Sequence, residues 1–281
     1  MKKQLIFTLS GLLIVALLFI FGRTIPVKSS TLVPAAMESR LFNIKQFIEE
    51  EKRHLTASQA LTLGKLENSV IRGDVGGQQI TANMQLADFW KDSIRVFEPY
   101  AYYLSEAAKL EKSEKNLTFA AQLILDNLRG EQDEAKLSWK AEQAISLFEK
   151  ALELDRDNDD LKIGLGSCYV FGKGGFGRPE ETMKGIQLLL SVVKKDSSNM
   201  KAQMILGVGG YVSGQYDKAI ERLLKVVNAQ PDNTEAIAFL ADTYAAKGNR
   251  QEAIKWYLIS KRLINNPHYS QEVDERIKSL R

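Results

Sequence analysis

One cysteine in 281 residues excludes a disulfide within the chain and any metal site built from several thiolates. Two histidines, His54 and His268, leave little for imidazole chemistry. Only six prolines over this length favour helix. Charge of neither sign dominates: 38 Lys and Arg stand against 35 Asp and Glu, a net of +3, with no long basic run. That balance argues against nucleic acid as the main partner. No G-x-S-x-G, H-E-x-x-H or Walker loop occurs, and the many carboxylate pairs single out nothing. The expectation is a protein that is no enzyme, with no cofactor and no metal. What is present is ordinary globular material, 44% hydrophobic and 26% charged, long enough for one or two domains.

Residues 200–267 organise the rest. Written as two rows, Met200 to Asn233 and Thr234 to Pro267, they place Leu206 over Leu240, Gly214 over Gly248, Ala219 over Ala253 and Ile220 over Ile254. A fixed period of about 34 residues marks an array of helical hairpins. In the second row Ala236, Phe239, Leu240 and Tyr244 share one helical face. Lys247-Gly248-Asn249 is a turn, and Ala253, Ile254, Tyr257 and Leu258 form a second stripe. Ala241 and Ala253 let the two helices approach closely. One such hairpin cannot bury its apolar face alone, so stability comes from stacked neighbours.

These rows resemble the tetratricopeptide repeat family, whose pattern is Trp-x2-Leu-Gly-x2-Tyr, then Ala-x3-Phe, then Pro. The second row reads Ile237-x2-Leu240-Ala241-x2-Tyr244 and Ala253-x3-Tyr257; the first reads Gln203-x2-Leu206-Gly207-x2-Gly210, Ala219-x3-Leu223 and Pro231. An earlier copy reads Lys162-x2-Leu165-Gly166-x2-Tyr169 and Gly185-x3-Leu189, with extra residues in its turn around Phe171 to Pro179. Before that only a second helix is clear, Ala144-x3-Phe148 with Ala151. The resemblance implies an all-α fold, an α-solenoid of helix–turn–helix repeats over 131–267. The polar helix over 268–281, with an apolar edge of Tyr269, Val273, Ile277 and Leu280, caps it.

Upstream, Met1-Lys2-Lys3 precedes Leu5 to Phe21, 17 residues without charge. A membrane span needs about 17 residues or more, whereas a signal-peptide core runs to about 15 and ends at small residues, absent here. The expectation is a single-pass transmembrane helix within 1–24, with a cleaved signal peptide as the alternative. Lys2 and Lys3 lean the orientation toward a cytoplasmic N-terminus, with the bulk of the chain extracytoplasmic, on the periplasmic side where a cell has one. A linker follows over 25–39. Residues 40–130 read as helices lacking the repeat signature, either degenerate repeats or a helical cap on the array. Thr56-Ala57-Ser58 caps one of them; Ile71 to Gly77 reads as a loop. Ile80, Met84, Ala87, Trp90, Ile94 and Phe97 predict one long helix stopped before Pro99. Pro99 opens the next helix, and Leu117, Ala121, Ile124 and Leu128 mark a third, broken over Gly130 to Asp133.

Three motifs yield to plainer readings. Gly172 to Gly177 matches G-x-G-x-x-G but follows a helix rather than a strand, so it reads as an insertion in a repeat turn. Asp155 to Asp160 begins like a calcium loop but lacks its Gly and Glu, so it reads as a turn whose aspartates cap the next helix. Cys168, on a helix with no histidine near in sequence, reads as core.

In the family, the first helix of each repeat lines a concave groove that grips protein or peptide. The resemblance assigns that groove to Asp160, Ile163 and Ser167, then Lys201, Met204, Val208 and Tyr211, then Glu235, Ala238 and Asp242. Family members that clamp a terminal carboxylate use Lys, Asn and Arg at these slots, and only Lys201 is basic here. Met204, Val208 and Tyr211 give the middle an apolar character suited to an interaction surface, unless a capping helix fills it. The expected function is a membrane-tethered, non-catalytic scaffold holding an envelope protein. The alternative is an accessory subunit that binds a membrane complex through its N-terminal helices.

Overall fold

The computed structural model describes residues 42–72, 76–173 and 179–281. The anchor expected over 1–24 and the linker over 25–39 lie outside the described residues, as do 73–75 and 174–178 of the two expected loops. Thirteen helices, and no strand, make up the described part. They are α1 (Ile44–Glu51), α2 (Ala57–Arg72), α3 (Gly76–Asp88), α4 (Phe97–Glu111), α5 (Glu114–Leu128), α6 (Glu134–Leu154) and α7 (Asp159–Ser167). The rest are α8 (Pro179–Lys195), α9 (Met200–Val212), α10 (Tyr216–Ala229), α11 (Thr234–Lys247), α12 (Arg250–Ile264) and α13 (Pro267–Leu280). None of these helices is long and apolar enough to cross a membrane.

Side-chain caps start most of them. Thr56 and Gln59 form a capping box: the Thr56 N–H donates to Gln59 Oε1 (2.9 Å) and the Gln59 N–H to Thr56 Oγ1 (3.3 Å). Asparagine precedes the first helix of each clear repeat: Asn158, Asn199 and Asn233 each accept a backbone N–H. This corrects the expectation that aspartates cap α7. Asn158 takes the Leu161 N–H, and Asp159 and Asp160 stand in the first turn, where the positive helix end favours acid. Gly214 (φ 74°) and Gly248 (φ 84°) make the left-handed turns inside two hairpins.

The long helix expected from Ile80 through Phe97 is also corrected. α3 runs on as a π-helical turn, Phe89–Ile94, and ends where Arg95 turns left-handed (φ 63°), its N–H reaching Trp90 O. Phe97 opens α4 with Pro99 in the first turn. A helix continued through here would need a backbone N–H at Pro99, which has none. A second π turn, Cys168–Lys173, extends α7 into what was read as loop.

Helices pair in sequence, α3 with α4, α5 with α6, α7 with α8, α9 with α10 and α11 with α12. Each hairpin closes its apolar face on the next. One buried cluster joins Ala121 and Ile124 of α5 to Leu147 and Phe148 of α6 and Leu161 of α7. A second joins Leu189 of α8 to Leu206, Leu223 and Leu240. Val273 and Ile277 of α13 seal the last hairpin against Ala241, Ala253 and Tyr257. Cys168 lies in the first of these cores, fully buried, and burial pushes its thiol far above the ordinary range.

Small residues set the spacing within hairpins. A Cβ added at Gly185 would fall 2.7 Å from Gly166 O and 2.9 Å from Tyr169 Cβ, so α7 and α8 touch backbone to backbone. A buried ion cluster ties α4 to α6. Lys140, 3% exposed, reaches Glu131 Oε2 (2.5 Å) and Glu98 Oε1 (3.1 Å) beneath the Phe97 ring. Burial alone would raise the Glu131 carboxyl. The Lys140 hydrogen bond and the Asp133 and Gln132 N–H groups outweigh it and hold the group below its ordinary 4.5.

Two outcomes follow. Gly185→Ala should destabilise by about 1–3 kcal/mol in urea unfolding, overriding the helix-propensity gain of about 1 kcal/mol that alanine brings at an open site. A stability equal to or above the parent would mean the crossing has slack. Because the folded Glu131 carboxyl is depressed, its contribution is present above pH 4.5 and is lost as pH falls below it. Thermal unfolding from pH 6 to 3 should therefore fall more steeply in the parent than in Glu131→Gln, and parallel curves would remove the role.

Candidate functional site

The first helices α5, α7, α9 and α11 meet one another in succession along one face. Together they line a half-open cavity of about 520 Å³. The asparagine caps put α7, α9 and α11 in step. Two residues past each cap stand Asp160, Lys201 and Glu235, which therefore line up along one rim. Five residues past Asn158 and Asn199 stand Ile163 and Met204, which with Leu125 of α5 form an apolar floor.

The structure brings six of the ten expected residues together around this cavity: Asp160, Ile163, Ser167, Lys201, Met204 and Glu235. Asp160 and Lys201 pair across neighbouring helices at 3.6 Å, both largely exposed. The other four lie beyond the cavity lining. Val208 is buried, Ala238 is half-buried, and Tyr211 packs its ring 6.1 Å from Phe239 and 6.4 Å from Tyr216. Asp242 accepts from the Tyr257 hydroxyl (2.5 Å) and from Arg276 Nη1 (2.6 Å), so the cap helix α13 already engages it. Burial, then the Asp242 hydrogen bond, raises the Tyr257 hydroxyl well above 10.0.

The expected open apolar patch is corrected in one respect. Of Met204, Val208 and Tyr211, the first two are 6% and 1% exposed and the third is half-buried; Ile163 beside them is 7% exposed. Adjacent first helices stand close enough to cover most of each side chain, so the apolar groups form a floor and wall rather than a free surface.

Residues on α5 and the π turn escaped the sequence reading. Arg129, at the end of α5, pairs with Glu235 of α11 and lays its guanidinium 4.4 Å from the Phe171 ring centroid. Gln122 and Asp126 add polar groups from α5, the amide of Gln122 donating to Asp126 (2.8 Å). The one available signal was Ala144-x3-Phe148: a second helix implies a first helix before it, and α5 is that helix. Among the described residues no group of three or more His, Cys, Asp and Glu is arranged to hold a metal. The two hydroxyls in the lining are spoken for within their own helices: Thr118 donates to Glu114 Oε1 (3.1 Å) and Ser167 to the Ile163 carbonyl (2.8 Å).

Residues 213–268, from the turn before α10 to the start of α13, match the tetratricopeptide repeat family model. Over 137 residues, 49% of this chain, the sequence is 27% identical to the BBSome complex member BBS4 of Bos taurus, and the match spans a quarter (25%) of that protein. Among solved structures, MamA from Desulfovibrio magneticus RS-1 is 18% identical, with 68% of this chain and 98% of that one covered and a TM-score of 0.48. YrrB, a TPR protein with an unusual peptide-binding site, is 17% identical, with 75% and 97% covered and a TM-score of 0.46.

The Asp242 cluster is testable by a double-mutant cycle in urea. Asp242→Ala strands the Tyr257 hydroxyl and Arg276, with an expected loss of about 1–3 kcal/mol. Adding Arg276→Ala should cost much less than it does alone. Simple additivity within about 0.5 kcal/mol would show that the contact carries no coupling.

Proposed function

We propose that this tetratricopeptide repeat chain is a non-catalytic scaffold that holds another protein or peptide on its inner face. Its N-terminal segment tethers it to a membrane, with the folded part on the extracytoplasmic side. One observation carries the binding reading: four successive first helices converge on a cavity with an apolar floor and a charged rim. About 520 Å³ lies within the range of ligand sites, about 300–1,000 Å³, and suits one or two side chains of an extended peptide. Ile163 and Met204 offer apolar contact, while Asp160, Lys201 and Glu235 stand where a peptide backbone or a charged neighbour would pass. The tether reading is supported by the uncharged run Leu5 to Phe21.

A second reading has its own support. Leu61 of α2 and Phe119 of α5 stand 64% and 57% exposed, as they would on N-terminal helices that dock to a membrane complex. Leu61→Glu with Phe119→Glu removes such a surface and leaves the cavity lining intact.

Photo-crosslinkers placed at Lys201 and at Glu235 in cells should both capture one dominant protein. Met204→Ala should weaken that capture about tenfold, the scale of losing one buried anchor. Crosslinks confined to this chain's own helices, or capture abolished by the Leu61 and Phe119 substitutions alone, would move the partner off the inner face. For the tether, alkaline extraction should leave the full chain in the membrane pellet and release a chain lacking residues 1–24.

A further inference from the structure

We infer that Arg129 acts as a releasable strap across the inner-face cavity, drawing its walls together and narrowing it by pairing with Glu235 over the Phe171 ring. The inference rests on the reading of that cavity as the partner site and adds how access to it is controlled.

Three observations carry it. The first is span. Arg129 and Glu235 are 106 residues apart, and α7 and α9 lie between their helices in the stack. Among the described residues, the first helices that pack directly on one another along this face are successive ones, α5 with α7, α7 with α9 and α9 with α11. Such arrays hold their shape through nearest neighbours, so they flex along their length. A tie that skips two first helices sets how tightly the arc is drawn.

The second is placement. Arg129, Phe171 and Glu235 all line the cavity, and they also line a second hollow with Asp126 and Phe239. The strap therefore runs along the partition between two spaces that an extended chain would need joined.

The third is strength. The side chains of Arg129 and Glu235 are 37% and 44% exposed, whereas Lys140 in its buried cluster is 3% exposed. An exposed ion pair is screened by salt and contributes little, and the ring contact adds a comparable amount. The Lys140 cluster is a permanent rivet. The Arg129 tie is weak enough to open at thermal cost and strong enough to bias the arc toward its drawn-in, narrower form.

The test uses the full chain in a Cys168→Ala background, with Ser167→Cys as a probe on the cavity wall and a small thiol reagent. Arg129→Gln and Glu235→Gln should each speed labelling roughly fivefold. Labelling of the parent should quicken as salt rises, and that of the variants should not. Spin labels at Gln132 and Asp232, both exposed, should give a distance distribution that is broader in Arg129→Gln; if Ser167→Cys does not fold, this measurement decides alone. Parent-like labelling and parent-like distances in Arg129→Gln overturn the strap. Neither readout needs a partner. A failed strap thus leaves the binding proposal standing, and a failed crosslinking experiment leaves the strap standing.

Discussion

Close approach of paired helices at glycine and alanine is the constraint on which this structure depends. Gly166 meets Gly185, Gly207 meets Leu223, and Ala219 sits beneath Gly210. With the two helices of a hairpin drawn this near, their large apolar side chains are pushed outward onto the next hairpin. Leu189, Leu223 and Leu240 fall into one continuous buried row as a result. The stack is stable because no unit is stable alone. Its first helices are brought to one face by the same geometry, and that face carries the cavity.

Polar interactions then divide the array into parts that hold and a part that yields. At the N-terminal end Lys140 locks α4 to α6 with two carboxylates in a nearly dry setting. Taking one partner away from such a cluster leaves an uncompensated buried charge, so it has no cheap open state. At the C-terminal end Asp242, Tyr257 and Arg276 fasten the cap helix. Between them the rim pairs, Asp160 with Lys201 and Arg129 with Glu235, stand in water and exchange partners at little cost.

What could be read early was what depends on near neighbours in sequence. The 34-residue register, the turn glycines at 214 and 248 and the buried Ala-x3-aromatic positions all appear in the fold as read. The asparagine caps were equally local, and their spacing aligns Asp160, Lys201 and Glu235 on one rim. Locality failed at α3, where a regular apolar spacing ran across a helix end made by Arg95 and Pro99. It failed at α7, where a π turn carried the helix into the insertion and placed Phe171 at the cavity.

By itself the sequence determined the hairpins, because helical periodicity, caps and turns are decided within a few residues of each position. Only the tertiary structure decided that α5 supplies a wall of the cavity, that the cap helix takes Asp242, and that Arg129 meets Glu235. Those contacts depend on the angle at which successive hairpins stack. That angle sums the packing of every interface between them, and no local pattern along the chain records the sum.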